Sequence, residues 1–231
     1  MDIRSKIEEN KASILDKRPI VFFDMDGVLA DFYGTVLDKK LLIREPTDKD
    51  TGWTELIDWD KFKGKDPEEN MYRFLKPFDE MVSYARELKD KGYDVRVLTG
   101  LPRGLPAKDE NGNIIYRRDG VTPKYDPCEK SRIAKRMWLD EHGLSDIPMS
   151  GCFAYEKTKY MTQNCILIDD KEANCEHWAN SAKKHDKNGI AILHNINHPA
   201  ASIDKVNSLL NSYYKEKEYK TDKEKEMAPS L

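Results

Sequence analysis

The sequence predicts a doubly wound α/β fold: a parallel sheet of about five strands, helices on both faces, and a small helical cap inserted after the first strand. Two observations carry this. Short apolar runs recur at residues 20–23, 95–98, 165–168 and 190–193, with a weaker one at 152–155. They are continuous rather than alternating, as in strands buried on both faces of a parallel sheet. Amphipathic helical patterns separate them, and such a β-α-β-α order closes through right-handed crossovers.

The helices follow from spacing and end signals. Over 78–91, Phe78, Met81, Val82, Ala85 and Leu88 fall on one face, and Gly92 suits the position just past the helix. Residues 131–142 repeat the plan with Ile133, Ala134, Met137 and Trp138, followed by Gly143. A third helix contains 174–182. A fourth starts near Pro199 and buries Ile203, Val206 and Leu210.

Two stretches break this rhythm. Residues 34–76 hold Trp53, Trp59, Phe62, Tyr72 and Phe74 among many charges, which reads as a cap with its own small core. Residues 102–130 carry Asp-Glu-Asn-Gly-Asn and Arg-Asp-Gly turn signals around Ile114, Ile115 and Tyr116, the pattern of a hairpin excursion. The core domain is therefore bounded at 19–212, after a helical or extended segment 1–18. Residues 213–231 hold ten charges in nineteen positions, balanced to zero, and read by default as a solvated, disordered tail, with extension of the preceding helix as the alternative.

Composition narrows the functional classes. Of the 231 residues 39% are hydrophobic and 35% charged, and the net charge is −3. No global basic field draws in nucleic acid. No apolar run reaches eighteen residues, and the first eighteen residues lack a signal-type apolar stretch. The four cysteines form no CxxC pair, so reduced thiols and a cytoplasmic location are expected, with no membrane partner.

The chemistry sits where the apolar runs end. After the first run come Asp24, Met25, Asp26 and Gly27. Residues two apart on an extended chain share a face, so both carboxylates point the same way at the carboxyl end of the strand, where open α/β sheets bind ligands. Two crowded carboxylates need a cation or a shared proton, and Mg²⁺ is the natural guest for oxygen ligands. An EF-hand calcium loop is excluded, since Gly27 comes too early and Val28 occupies a ligand position. The second run ends in Thr99 and Gly100, where a hydroxyl and free amides can hold a phosphate, although a threonine there is commonly a helix cap. The run at 165–168 ends in Asp169 and Asp170, preceded by Glu156, Lys157, Thr158 and Lys159. Buried acidic pairs are costly unless solvated or metal-bound.

In the order DxDG, Thr, Lys, DD, the chain resembles the haloacid dehalogenase-like (HAD) phosphatase superfamily over roughly residues 19–200. The stretch DMDGVLADF, together with the EKT and Ile-Leu-Ile-Asp-Asp segments, is similar to the 5′(3′)-deoxyribonucleotidase family and its phage and bacterial relatives. The resemblance implies a Rossmann-like core and a Mg²⁺-dependent phosphatase acting on a nucleotide, with these roles. Asp24 is the nucleophile and Asp26 the general acid and base. Thr99 and the motif lysine hold the phosphoryl oxygens. The metal is bound by Asp24, the Asp26 backbone carbonyl and Asp169, with Asp170 close by. Phe32 matches the position that stacks on the base.

The motif lysine is ambiguous: a ten-residue offset from the acidic pair selects Lys159, whereas the EKT match selects Lys157, which is preferred. The cap is short for the family. Residues 103–136 hold nine Lys or Arg against five acids, a solvated face or a guide for a polyanion. The alternatives are therefore a phosphatase of nucleic-acid 3′ or 5′ ends and a catalytically silent binding module, with a homodimer open in each case. His194 and His198 fall in a loop pattern rather than a helical metal motif.

Overall fold

A computed structural model describes residues 19–47 and 53–226, with side chains to Tyr213. The expected segment 1–18 lies outside the described residues. The chain enters the sheet through β1 (Ile20–Phe23), all four residues of which are buried. The cap follows. It is framed by β2 (Ala30–Asp31), helix α1 (Phe32–Asp38) and β3 (Lys76–Pro77), with three short helical turns, Trp53–Leu56, Asp60–Gly64 and Met71–Phe74, between α1 and β3. β2 and β3 pair antiparallel, so the cap leaves and rejoins the core at one point.

The core then alternates: α2 (Asp79–Asp90), β4 (Asp94–Gly100), a hairpin of β5 (Arg103–Pro106) and β6 (Tyr125–Pro127), α3 (Glu129–Glu141), β7 (Met149–Cys152), β8 (Asn164–Asp169), α4 (Glu172–Lys184), β9 (Asn188–Leu193) and α5 (Pro199–Glu226). The five-stranded sheet runs β7-β4-β1-β8-β9, and all its pairings are parallel. Strand order reverses at β1, the switch point of a doubly wound sheet. Period-two alternation divides β1 between two cores. Val21 and Phe23 pack with α2, α3 and α5, while Ile20 and Phe22 pack with Trp178 of α4. Gly92 and Gly143, at φ 82° and 73°, end α2 and α3 as their positions predict.

Four local expectations are corrected. The weak run at 152–155 straddles a boundary: the strand is Met149–Cys152, and the chain then turns into a 3₁₀ helix, Ala154–Tyr160. Gly151 permits this strand, since a Cβ there would meet Leu101 at 2.6 Å. The run at 190–193 is an outermost strand, leaving Ile190 and Leu193 part exposed. On α3 the buried positions are Ser131, Ala134, Lys135, Trp138 and Leu139, and Ile133 faces outward. Finally, α5 continues to Glu226 through most of the expected tail. Lys and Glu are good helix formers and the stretch has no internal Pro or Gly, so local propensity favours the extension. No helix among the described residues is long and apolar enough to cross a membrane.

Candidate active site

Parallel pairing of β1 with β8, Phe23 opposite Ile168, brings their carboxyl ends out side by side. The Asp24 amide donates to the Ile168 carbonyl at 2.9 Å, extending the ladder one step. Asp24 and Asp169 are both buried. Carboxylate oxygens of Asp24, Asp169 and Asp170 lie within 4.8 Å of one another. Burial, then Asp24 and Asp169, push the Asp170 carboxyl up to about 7, and its Oδ1 is buried with no hydrogen-bond partner among the described residues. Gly27 makes this approach feasible: at φ 78°, a Cβ there would lie 2.3 Å from Asp170 Oδ2. Three clustered carboxylates, one with an unused oxygen, fit a hard divalent cation.

Lys157 reaches the same cluster from the 3₁₀ helix. Its Nζ lies 2.8 Å from Asp24 Oδ2 and 2.6 Å from Asp169 Oδ2. Burial works against its charge, but Asp24 and Asp169 outweigh that and hold its pKa above the ordinary lysine value. Lys159, two residues on, is turned by about 240° on a three-residue spiral. It pairs with Glu156 at the surface. The structure thus brings Lys157 to the acidic cluster and leaves Lys159 outside it. Asn174 Nδ2, at 2.9 and 3.0 Å, and the Lys171 amide, at 3.0 Å, orient Asp169.

Asp26 is held apart from that trio. Its Oδ2 accepts from Lys135 Nζ at 2.7 Å, so the structure does not bring its side chain to the carboxylate trio; of the expected metal-binding role, only the backbone carbonyl is left. Lys135 also donates to Thr99 Oγ1 at 2.8 Å and to the Gly100 carbonyl at 3.0 Å. Its Nζ lies 4.2 Å from the centre of the Tyr72 ring. Burial lowers the Lys135 pKa, with Asp26 opposing. Burial likewise raises Asp26 above the ordinary carboxylate value, with Lys135 opposing. A carboxyl whose proton affinity is raised, close to Asp24, is suited to proton transfer. Thr99 is fully buried at the end of β4 beneath this network.

Lys135 is a site residue that sequence reasoning missed. One signal was present: residues 131, 134, 135, 138 and 139 follow the i, i+3, i+4, i+7, i+8 spacing of a buried stripe.

A cleft of 680 Å³ opens over Asp24, Asp26 and Lys157, walled by Trp59 and Tyr72 of the cap and by Arg103 of the hairpin. Phe32 is not in that wall. It is 5% exposed and lies among Tyr33, Trp59, Phe62 and Tyr72, with ring centroids 5.1–6.3 Å away. The ring expected to stack on a base is a core ring of the cap, because α1 turns it inward beneath Trp59 and Tyr72.

A family model described as "5' nucleotidase, deoxy (Pyrimidine), cytosolic type C protein" matches residues 18–208, the whole of the sheet and cap. The chain belongs to this family. It is accordingly a HAD-type hydrolase of the phosphatase and nucleotidase class. No curated protein sequence matches this family member. Among solved structures, the HAD domain of effector protein Lem4 from Legionella pneumophila is similar in two forms. The inactive mutant shares 11% identity over 86% of this chain and 97% of that one, with a TM-score of 0.44. The other form shares 13% over 77% and 85%, with a TM-score of 0.38.

Proposed function

We propose that the protein is a Mg²⁺-dependent phosphomonoesterase that hydrolyses (deoxy)nucleoside monophosphates through an aspartyl-phosphate on Asp24. The observation that carries this reading is the meeting of Asp24, Asp169 and Asp170 within 4.8 Å, in a chain whose family is nucleotidase. A carboxylate oxygen of Asp24 attacks phosphorus while the bond from phosphorus to the nucleoside oxygen breaks, and Asp26 gives that oxygen its proton. Asp26 then takes a proton from the water that attacks the phosphoryl group, and the bond to Asp24 breaks. Lys157 and the Gly100 edge of β4 offset charge on the phosphoryl oxygens. Mg²⁺ held by Asp24, Asp169 and Asp170 would supply the remaining charge neutralisation. Lys135 fixes Asp26 against Thr99. Trp59, half-buried on the cleft wall, offers the ring a base can stack on. The four free cysteines support a reducing, cytoplasmic setting.

The test is phosphate release from a panel of ribo- and deoxyribonucleoside monophosphates. Turnover is expected with Mg²⁺, and none with excess EDTA or in Asp24→Asn. Full turnover by metal-stripped protein in EDTA, or an undiminished Asp24→Asn, would overturn the reading.

A further inference from the structure

A second cleft, of 580 Å³, adjoins the first. Arg103, Phe153 and Tyr155 line both, so the two are continuous. Beyond that shared rim, the second cleft is lined by Arg117, Lys124 and Tyr125 from the hairpin, and by Glu156.

The hairpin is built to hold these side chains in place. Gly104 lets its two strands meet, since a Cβ there would lie 2.9 Å from Cys128 Cα. The Lys124 amide donates to Ile115 and its carbonyl accepts from Ala107, while the Arg117 amide donates to Thr122. Asp119 closes the tip by accepting from the Val121 and Thr122 amides at 3.0 and 2.8 Å. Three basic residues separated in sequence are thereby fixed along one cleft, and none of them is in an ion pair among the described residues. The single acid in the lining, Glu156, is already paired with Lys159.

Aromatic faces accompany the charges. Phe153 and Tyr155 stack with centroids 5.6 Å apart and planes 13° from parallel, and Tyr155 is 62% exposed. The Arg103 guanidinium sits 5.8 Å over the Tyr125 ring. Unpaired cations interleaved with open ring faces are what single-stranded nucleic acid needs, because cations track the backbone phosphates and rings stack on bases of any identity.

We infer that the second cleft holds the nucleotide next to the scissile phosphate, so that the substrate class extends to phosphate-terminated single-stranded oligonucleotides. The inference rests on the phosphatase reading above and deepens it. Arg103, Arg117 and Lys124 bind the adjoining phosphodiesters, and Phe153 and Tyr155 stack the adjoining base.

The experiment compares a nucleoside monophosphate, a nucleoside 3′,5′-bisphosphate, and tetranucleotides phosphorylated at the 5′ or the 3′ end. Wild type is set against Arg117→Ala/Lys124→Ala, whose changes lie on the exposed hairpin surface away from the catalytic cleft. One of the tetranucleotides should exceed the mononucleotide in kcat/KM by tenfold or more. Its log kcat/KM should fall with log salt at a slope of about −2, from roughly −0.7 for each of three phosphates. The double variant should lose about tenfold or more on the tetranucleotide, stay within about twofold on the mononucleotide, and flatten the slope. Separately, anisotropy of a labelled tetranucleotide on Asp24→Asn protein reads binding without turnover. Binding there that depends on Arg117 and Lys124 supports the cleft even if no ester is hydrolysed, an outcome that would overturn only the phosphatase reading. Preference for the mononucleotide or the bisphosphate, or binding indifferent to Arg117 and Lys124, would overturn the strand-binding inference.

Discussion

The carboxyl edge of the sheet and the cap above it each have a buried interior, yet the two are held by opposite physics. At the edge, Asp24, Asp26 and Asp169 face Lys135 and Lys157, and four of these five groups are almost wholly out of water. Such pairs contribute little net stability, because desolvation offsets their attraction. On the proposed function, their worth lies in holding charge where a phosphoryl group would react. The cap holds an aromatic cluster in which Phe32, Phe62 and Tyr72 are interior and the half-buried Trp59 lines the cleft. Substitutions at the edge should therefore change rate, and those inside the cap should change stability. Lys135 joins the two regions, touching Asp26 on one side and the Tyr72 ring on the other.

The largest effect expected in the cap is on stability. Phe32→Ala should cost about 3–5 kcal/mol of unfolding free energy, the range for deleting a buried ring. Trp59→Ala should cost less stability but raise KM for nucleotides about fivefold or more through lost stacking. Chemical denaturation and steady-state kinetics on both variants check this, and a Phe32→Ala protein of normal stability but poor KM would break the division.

At the edge, Lys157→Ala should lower kcat on the order of a hundredfold or more, while Lys159→Ala stays near wild type. Near-normal kcat in Lys157→Ala would remove that lysine from the chemistry. Lys135→Met, which keeps the length but not the charge, should lower kcat by roughly ten- to a hundredfold with KM little changed, since Lys135 positions Asp26 rather than touching substrate. A rise in KM alone would make Lys135 a binding residue.

The smallest effect concerns the hairpin. Hydrogen bonds from Thr122, side chain and backbone, and from the Val121 amide hold the Asp119 carboxyl at about 2, below the ordinary 3.8. A depressed carboxylate steadies the tip fully above about pH 3.8, and that contribution disappears as pH falls through about 2. An NMR titration of the Asp119 carboxyl should show this low midpoint, and a midpoint near 3.8 would mean that the tip is open in solution.

Much of the architecture was legible because burial on both faces writes continuous apolar runs, and their ends mark the ligand edge. The ends of those runs place Asp24, Asp26, Asp169 and Asp170 at that edge. Phe32 was misplaced because its distance from Asp24 along the chain says nothing about which way α1 rotates the ring. Lys135 was missed for a related reason. Ile133 and Met137 offered a plausible apolar face, and a lysine on a helix ordinarily points to water. Only the spacing of Ser131, Ala134, Trp138 and Leu139 disclosed that position 135 faces the core. The charges of the hairpin were visible in sequence, but their convergence on one cleft depends on a register that the sequence signals leave open.

The central claim is that Asp24 carries the phosphoryl group in transit. Wild-type protein turning over a deoxyribonucleoside monophosphate in Mg²⁺ should be quenched in acid, digested, and its peptides weighed. A phosphoryl mass on the peptide containing Asp24, absent without substrate and absent in Asp24→Asn, is the predicted result. Steady phosphate release with no phosphoryl mass on that peptide, or with the mass on another residue, would contradict it.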